Sequence, residues 1–257
     1  MDIAIDIGNT NVTVGLKKGQ IWLDMWRFVT TLEEPVAFYK MRMLDQILEA
    51  SMIKEEIEQV CISSVVPDLN SYMITVVEEV FEMDPYLITT SSYGGMHLDI
   101  DHPDQLGTDL YANAVAAYKK FGESSLIVDF GTALTFTSVD DDCVLKGVAI
   151  APGLKTALSA LSGNTAQLPE VSLLVPDSPI GKNTSEAIRA GILHGYVGLV
   201  KHMLEITKVE LGDSPKVIAT GGLSKTLPLL KDEFDAIDEK LTLNGIVEIG
   251  RHIVQSQ

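Results

Sequence analysis

The chain has 257 residues, of which 46% are hydrophobic and 21% charged, so it can bury a substantial core and is not expected to be disordered. Its 36 acidic against 19 basic residues give a formal net charge of −17, which disfavours nucleic acid and anionic lipid as partners. No apolar run approaches the ~18 residues that span a membrane, and no leader pattern opens the chain. Cys61 and Cys143 lack the spacing of a disulfide framework or a zinc site. Together these features predict a cytoplasmic protein.

The first half predicts alternating β-strands followed by helices with strands between them. In chain order, the predicted elements are strands over residues 2–7, 11–16 and 20–29, a helix over 31–51, a strand over 58–63, a helix over 67–81 and a helix beginning at residue 107.

The second half begins again with the same sequence device, an apolar strand that ends in Asp and Gly. In chain order, the predicted elements are strands over residues 126–129, 134–139 and 144–150, a helix over 152–161, a long helix over 184–209, a strand over 216–219 and a C-terminal helix over 244–257. Asp6 and Asp129, the two acids, are separated by about half the chain. This internal repetition predicts two similar α/β domains, residues 1–118 and 119–257, with a nucleotide cleft between them.

The turn after the first strand combines groups that bind phosphate. Gly8 permits a tight turn with free N–H groups, and the side chains of Asn9 and Thr10 add donors. Asp6 would hold Mg²⁺ together with phosphate oxygens. An ordinary hairpin turn also favours Asn and Gly, but the second copy at residues 129–132 favours a paired phosphate-binding site.

A third glycine-rich turn follows the strand over residues 216–219. Gly221 and Gly222 would let the backbone approach an adenine or ribose face, although Gly-Gly after a strand is also common in ordinary turns.

On these motifs the sequence resembles the type III pantothenate kinases, a branch of the actin, sugar-kinase and heat-shock ATPase superfamily. The resemblance covers nearly the whole chain and is carried by residues 6–10, 107–109, 113–115, 128–133, 147–153, 168–169 and 180–184. It implies two ribonuclease-H-like domains and ATP-dependent phosphorylation of pantothenate, the first step of coenzyme A biosynthesis. It also implies a requirement for Mg²⁺ and for K⁺ or NH₄⁺, and a homodimer.

The resemblance also implies roles for individual residues. Asp109 would be the general base, and Asp129 the ligand of the monovalent cation. Residues implied to bind ATP are Asp6, Gly8, Asn9, Thr10, Asn11, Thr13, Gly131, Thr132 and Gly221. Residues implied to bind the acceptor are Gly107, Thr108, the position of Leu110, the position of Ile100, and Thr184 at a dimer interface. Without the resemblance, Asp109 would be read as an acid favoured at a helix N-terminus by the helix dipole.

Two positions depart from the family pattern, and both fall on the acceptor side. Leu110 stands where the family has Arg, and Ile100 where it has Tyr; Tyr93 is nearby but would need a different loop path to replace that tyrosine. A kinase of the same fold that acts on a different small alcohol therefore stays open. So does a nucleotide-binding regulatory protein, although retention of Asp109 argues against it.

Small residues line one side of the long helix predicted over 184–209, and they permit close helix approach. They are Ala187, Ala190, Gly191, Gly195 and Gly198. This pattern predicts an isologous two-fold interface.

Overall fold

In a computed structural model, the chain is described over residues 1–50, 53–163, 171–212 and 214–256. It divides into two compact units: the first comprises Met1–His97, Asp101–Ala116 and Leu241–Gln257, and the second comprises Leu98–Ile100 and Ala117–Lys240. The resemblance motif at residues 168–169 and the predicted helix end at residue 257 lie outside the described residues. None of the described helices is long and apolar enough to cross a membrane.

The first sheet begins with an antiparallel meander. Its described strands are β1 (Asp2–Ile7), β2 (Asn11–Lys18), β3 (Ile21–Val29), β4 (Gln59–Ser64) and β5 (Tyr86–Leu87). They lie in the order β3-β2-β1-β4-β5, with β1 antiparallel to β2 and parallel to β4. The central strand β1 is almost wholly buried because helices can cover both faces of a sheet of this kind. The predicted strands over 2–7, 11–16, 20–29 and 58–63 are confirmed, whereas the short β5 was not predicted.

Three helices follow the strands of the first half. They are α1 (Pro35–Glu49), α2 (Pro67–Phe81) and α3 (Thr108–Phe121), with 3₁₀ turns at Lys54–Glu56, Thr90–Ser92 and Pro103–Gln105. A proline opens both α1 and α2, at a position where its missing N–H costs no helical hydrogen bond. Helix α1 starts later than predicted, because Glu34 adopts a left-handed conformation with φ 43° just before it.

The second sheet repeats the topology of the first. Its described strands are β6 (His97–Leu98), β7 (Ser125–Phe130), β8 (Ala133–Val139), β9 (Val144–Pro152), β10 (Lys216–Thr220) and β11 (Ala236–Ile237). They lie in the order β11-β10-β7-β8-β9-β6, with β7 antiparallel to β8 and parallel to β10. The predicted repetition is therefore confirmed as shared strand topology, and β6 is an additional edge strand that was not predicted.

The helices of the second half are α4 (Leu154–Gly163), α5 (Thr184–Arg189) and α6 (Gly195–Leu211). The long helix predicted over 184–209 is interrupted, because a π-helical turn at Ala190–His194 separates α5 from α6. The periodicity of apolar and small residues predicts a helix but does not predict a single π-helical turn within it. Helix α4 begins after the predicted Pro152, since that residue still pairs with Ala133 in the sheet.

The C-terminal helix α7 (Leu241–Ser256) groups with the first unit, although the boundary expected from the sequence put it in the second domain. Polar contacts attach it to the first sheet: Arg251 pairs with Asp2 at 2.6 Å, and Lys17 Nζ donates to Asn244 Oδ1 at 2.8 Å. Apolar periodicity predicts the helix but not the sheet against which it packs.

Candidate functional site

The turn between β1 and β2 is closed by backbone hydrogen bonds. The Gly8 N–H donates to the Asn11 carbonyl at 3.0 Å, and the Thr30 hydroxyl donates to the Gly8 carbonyl at 2.6 Å. The side chains of Asn9 and Thr10 are exposed at the tip of this turn. The turn thus has a fixed backbone with polar side chains that face solvent, as a phosphate-binding turn requires.

Asp6 lies one position before the end of β1 and is partly buried. In the sheet register it stands opposite Thr13 of β2 and Ser63 of β4, so the three side chains lie on one face. Thr13 is buried, at 8% exposure. The structure therefore brings two of the predicted ATP-binding residues, Asp6 and Thr13, next to each other. Asn11, a third, lies exposed at the start of β2.

Asp109 occupies the first turn of α3, where the helix dipole favours a carboxylate. Its Oδ1 accepts a hydrogen bond from the Leu110 N–H at 2.8 Å. Burial raises the pKa of Asp109 above its usual range, and the backbone hydrogen bond opposes only part of that increase. A Cβ placed on Gly107 would lie 2.4 Å from Asp109 Oδ1, so only glycine leaves room for the carboxylate here. The result is a desolvated carboxylate in a fixed position, which suits a general base.

Thr108 attaches the start of α3 to the end of β4. Its hydroxyl lies 2.8 Å from Ser63 Oγ and accepts from the Ser64 N–H at 3.0 Å. The predicted substrate-binding hydroxyl is thus already engaged within the first unit, where it fixes the helix that carries Asp109.

From the sequence alone, Tyr93 is considered only as a replacement for the family's tyrosine, a role that would need a different loop path. Its ring stacks on Tyr111 with centroids 4.0 Å apart, and its hydroxyl donates to the Leu106 carbonyl at 3.1 Å. Burial, and secondarily the neighbouring Asp109 carboxylate, raise the pKa of Tyr93. No motif signalled this contact; the signal available in the sequence was a tyrosine in a loop near the acid.

The turn between β7 and β8 repeats the first one in the second unit. The Gly131 N–H donates to the Ala133 carbonyl at 3.0 Å, as Gly8 donates to Asn11. Thr132 is exposed, and its carbonyl accepts hydrogen bonds from the Gly153 N–H at 3.0 Å and from the Thr156 hydroxyl at 2.7 Å. The start of α4 therefore holds the turn in place.

Asp129 stands in a row of oxygen-bearing side chains across the second sheet. Its register neighbours are Thr135 of β8 and Thr220 of β10. Both threonines are buried, and their hydroxyls have no hydrogen-bond partner among the described residues. Gly221, with φ +88°, closes the row: a Cβ there would lie 2.4 Å from Asp129 Oδ1. The row offers oxygen ligands of the kind that K⁺ takes, and Gly221, which the sequence predicts to bind ATP, lies beside the Asp129 carboxylate.

The remaining predicted acceptor residues fall in different places. Leu110 is buried at 9% exposure and belongs to the first unit, together with Gly107 and Asp109. Ile100 is partly buried and belongs to the second unit. Thr184 is exposed as the first residue of α5, directly after Asn183, whose side chain accepts from the Glu186 N–H at 2.9 Å.

Comparisons with known proteins show the family of the chain. A family model described as type III pantothenate kinase matches residues 3–206. A type III pantothenate kinase of Listeria monocytogenes is 36% identical over 246 residues, 96% of this chain and 95% of that protein. A type III pantothenate kinase of Kosmotoga olearia is 39% identical over 249 residues, 96% of this chain and 94% of that protein.

A solved structure gives the fold. The activator of 2-hydroxyisocaproyl-CoA dehydratase from Clostridium difficile, with bound ADPNP, matches with a TM-score of 0.56. The match covers 100% of this chain and 98% of that chain at 11% identity. At this identity the likeness shows the fold alone, and it confirms the predicted α/β fold of the actin-type ATPases and sugar kinases.

Proposed function

Because the chain belongs to the type III pantothenate kinase family, we propose that it transfers the γ-phosphoryl group of ATP to pantothenate. The product is 4′-phosphopantothenate, and the reaction is the first step of coenzyme A biosynthesis. The family is one of kinases that phosphorylate an alcohol group. The structural observation that carries the proposal is Asp109, a carboxylate at the start of α3 that packs against Gly107 and accepts the Leu110 N–H.

Phosphoryl transfer needs little covalent chemistry from the protein, and its rate depends mainly on position and charge. In the proposed mechanism the ionised Asp109 accepts the proton of the acceptor hydroxyl as the oxygen attacks phosphorus. Burial favours this role because it raises the pKa of the base towards the operating pH. The hydrogen bond from the Leu110 N–H orients the carboxylate.

We assign the ATP phosphates to the repeated turns, with Asn9, Thr10 and Thr132 as side-chain donors. Asn11 and the buried Thr13 extend the first turn along β2. Asp6, together with phosphate oxygens, would hold Mg²⁺, which would supply charge neutralisation on the transferring phosphoryl group. We also assign Gly221 to the nucleotide, because a glycine backbone permits close approach of an adenine or ribose face.

We assign K⁺ or NH₄⁺ to Asp129. The residues fit a monovalent cation, because a carboxylate lies in one row with two buried hydroxyls that lack partners among the described residues. A bound cation would satisfy oxygens whose burial without a partner is costly. Asp129, Thr135 and Thr220 would hold it.

We further propose a homodimer formed through the α5–α6 face. Gly191, Gly195 and Gly198 are exposed, and a Cβ on any of them would meet nothing within 4 Å. The same face continues into Ile206 and Val209, which are 45% and 78% exposed. Small residues followed by exposed apolar ones suit close packing against a second copy. Thr184, the residue implied to bind the acceptor at a dimer interface, is the first residue of α5. Sedimentation at micromolar concentration should show a dimer that Gly195→Leu dissociates, whereas a wild-type monomer would contradict this interface.

Two other functions stay candidates because of the acceptor side. A kinase for a different small alcohol is favoured by Leu110, whose buried apolar side chain offers no partner for a carboxylate. A regulatory nucleotide-binding protein would keep the turns but would not need Asp109.

The deciding experiment is an ADP-release assay with MgATP and KCl, run with pantothenate and with a panel of small alcohols that lack a carboxylate. The phosphate ester is identified by mass spectrometry, and Asp109→Asn serves as the inactive control. Turnover with pantothenate supports the proposal. Turnover with another alcohol alone would move the assignment to the first alternative. Nucleotide binding without turnover on any alcohol would favour the regulatory one.

The Leu110→Arg variant sharpens the choice of acceptor. If the pantothenate carboxylate binds beside this position, a charged hydrogen bond should lower the KM for pantothenate by about ten-fold. Steady-state kinetics measure it, with thermal melting to confirm that the buried position tolerates the longer side chain. An unchanged KM in a folded variant would show that the carboxylate binds elsewhere.

A further inference from the structure

Tyr93 connects a loop of the first unit to the turn that precedes Asp109. Its ring stacks on Tyr111 at 4.0 Å with the planes 23° apart, so the phenol is held by α3 itself. The hydroxyl then donates to the Leu106 carbonyl at 3.1 Å. The residue is buried at 9% exposure, which makes this hydrogen bond more costly to lose than a surface one.

The carbonyl that Tyr93 holds lies directly before Gly107, whose backbone is packed against the base. A Cβ on Gly107 would lie 2.4 Å from Asp109 Oδ1, so the carboxylate occupies the space beside that α-carbon. The Gly107 carbonyl in turn accepts from the Tyr111 N–H at 3.1 Å. Tyr93 therefore holds the Leu106 carbonyl and Tyr111 holds the Gly107 carbonyl. A shift of this turn would displace Asp109.

The other attachment of this turn is independent of Tyr93. Thr108 binds Ser63 and Ser64 at the end of β4, which fixes the helix start to the sheet. The hydrogen bond from Tyr93 holds the Leu106 side of the same turn from the loop. Burial, and after it the Asp109 carboxylate, raises the pKa of the Tyr93 phenol.

We propose that Tyr93 is a positioning residue for the general base: through Leu106 and Gly107 it fixes the Asp109 carboxylate. The inference rests on the proposed function, in which Asp109 is the base. Tyr93 itself needs no contact with the acceptor and no change of charge. It acts through its hydrogen bond to the Leu106 carbonyl and its stacking on Tyr111.

The test is Tyr93→Phe, which keeps the ring stack and removes only the hydroxyl. We expect kcat to fall by about ten-fold with the KM for ATP unchanged, because small displacements of a base reduce the rate without altering nucleotide binding. A carboxylate displaced from its buried position should have a lower pKa, so the acid limb of the kcat/KM profile should move to lower pH. Tyr118→Phe is the matched control, since that exposed tyrosine hydroxyl donates to the Asp141 carbonyl at 2.9 Å in the second unit.

A carboxyl NMR titration of Asp109 in the free protein separates the inference from the proposed function. A lower pKa of Asp109 in Tyr93→Phe than in the wild type supports the positioning role even if pantothenate proves not to be the acceptor. An unchanged pKa together with unchanged kcat would overturn the inference, as would an equal loss in Tyr118→Phe. Absence of turnover in the wild type would count against the proposed function alone. Should Tyr93→Phe melt below the assay temperature, the titration at lower temperature still decides.

Discussion

The two units build the same strand topology and the same glycine turn, yet they use the acid at the end of the first strand differently. In the first unit Asp6 faces Thr13 and Ser63, and the desolvated acid is a different residue, Asp109, supplied by a helix. In the second unit the strand-end acid Asp129 lies between buried hydroxyls and against Gly221. The same strand topology thus carries a buried helix carboxylate beside it in the first unit and a polar row at the strand-end acid in the second.

The largest expected effect comes from removing the base of the first unit. Asp109→Asn should lower kcat by on the order of 10²–10⁴, the usual contribution of general base catalysis, with nucleotide affinity within a few-fold of the wild type. Asp6→Asn is the contrasting variant, since it should weaken MgATP binding and turnover together. Steady-state kinetics and calorimetric nucleotide titrations measure both. Near-normal turnover of Asp109→Asn on the true acceptor would show that the base is misassigned.

The second unit should be most sensitive at Gly221. Gly221→Ala combines a φ of +88° with a Cβ 2.4 Å from Asp129 Oδ1, so it should destabilise the protein by about 2–3 kcal/mol and disturb the Asp129 row. Gly212→Ala is the matched control: its φ is +76°, but nothing lies within 4 Å of the new Cβ. Urea denaturation compares the two. Equal losses would show that backbone strain alone, and not contact with Asp129, sets the cost.

The pH dependence tests the electrostatic half of the comparison. The base must be ionised to act, and burial raises its pKa. As the pH is lowered, the kcat/KM of the wild type should therefore begin to fall at a higher pH than it would with an ordinary aspartate, whose pKa is about 3.9. The folded state then binds the proton more tightly than the unfolded state. Stability should therefore decrease as pH rises through this range, and Asp109→Asn should abolish that decrease. An acid limb at the ordinary value would contradict the burial argument.

The smallest expected effect concerns the row beside Asp129. Thr220→Val removes a buried hydroxyl that has no partner among the described residues, so the free energy of unfolding without K⁺ should rise by about 1 kcal/mol. The K⁺ concentration for half-maximal activation should rise by a few-fold. Thr242→Val is the control of opposite sign, because that hydroxyl donates to Asn113 Oδ1 at 2.8 Å and its loss should destabilise. Unchanged K⁺ activation in Thr220→Val would remove this hydroxyl from the cation site.

The sequence by itself determined the repeated strands, the two glycine turns and the acid at the start of α3, because these depend on alternation, turn chemistry and helix capping within a few residues. The family match followed from the same local motifs. Tertiary structure decided which distant groups meet: α7 packs on the first sheet through Arg251 and Asp2, and Tyr93 reaches the turn before Asp109. It also decided the burial of Leu110 and the π-helical turn in the long helix. The contacts of Arg251 and Tyr93 join residues from different segments of the chain, and no local pattern of polarity predicts them.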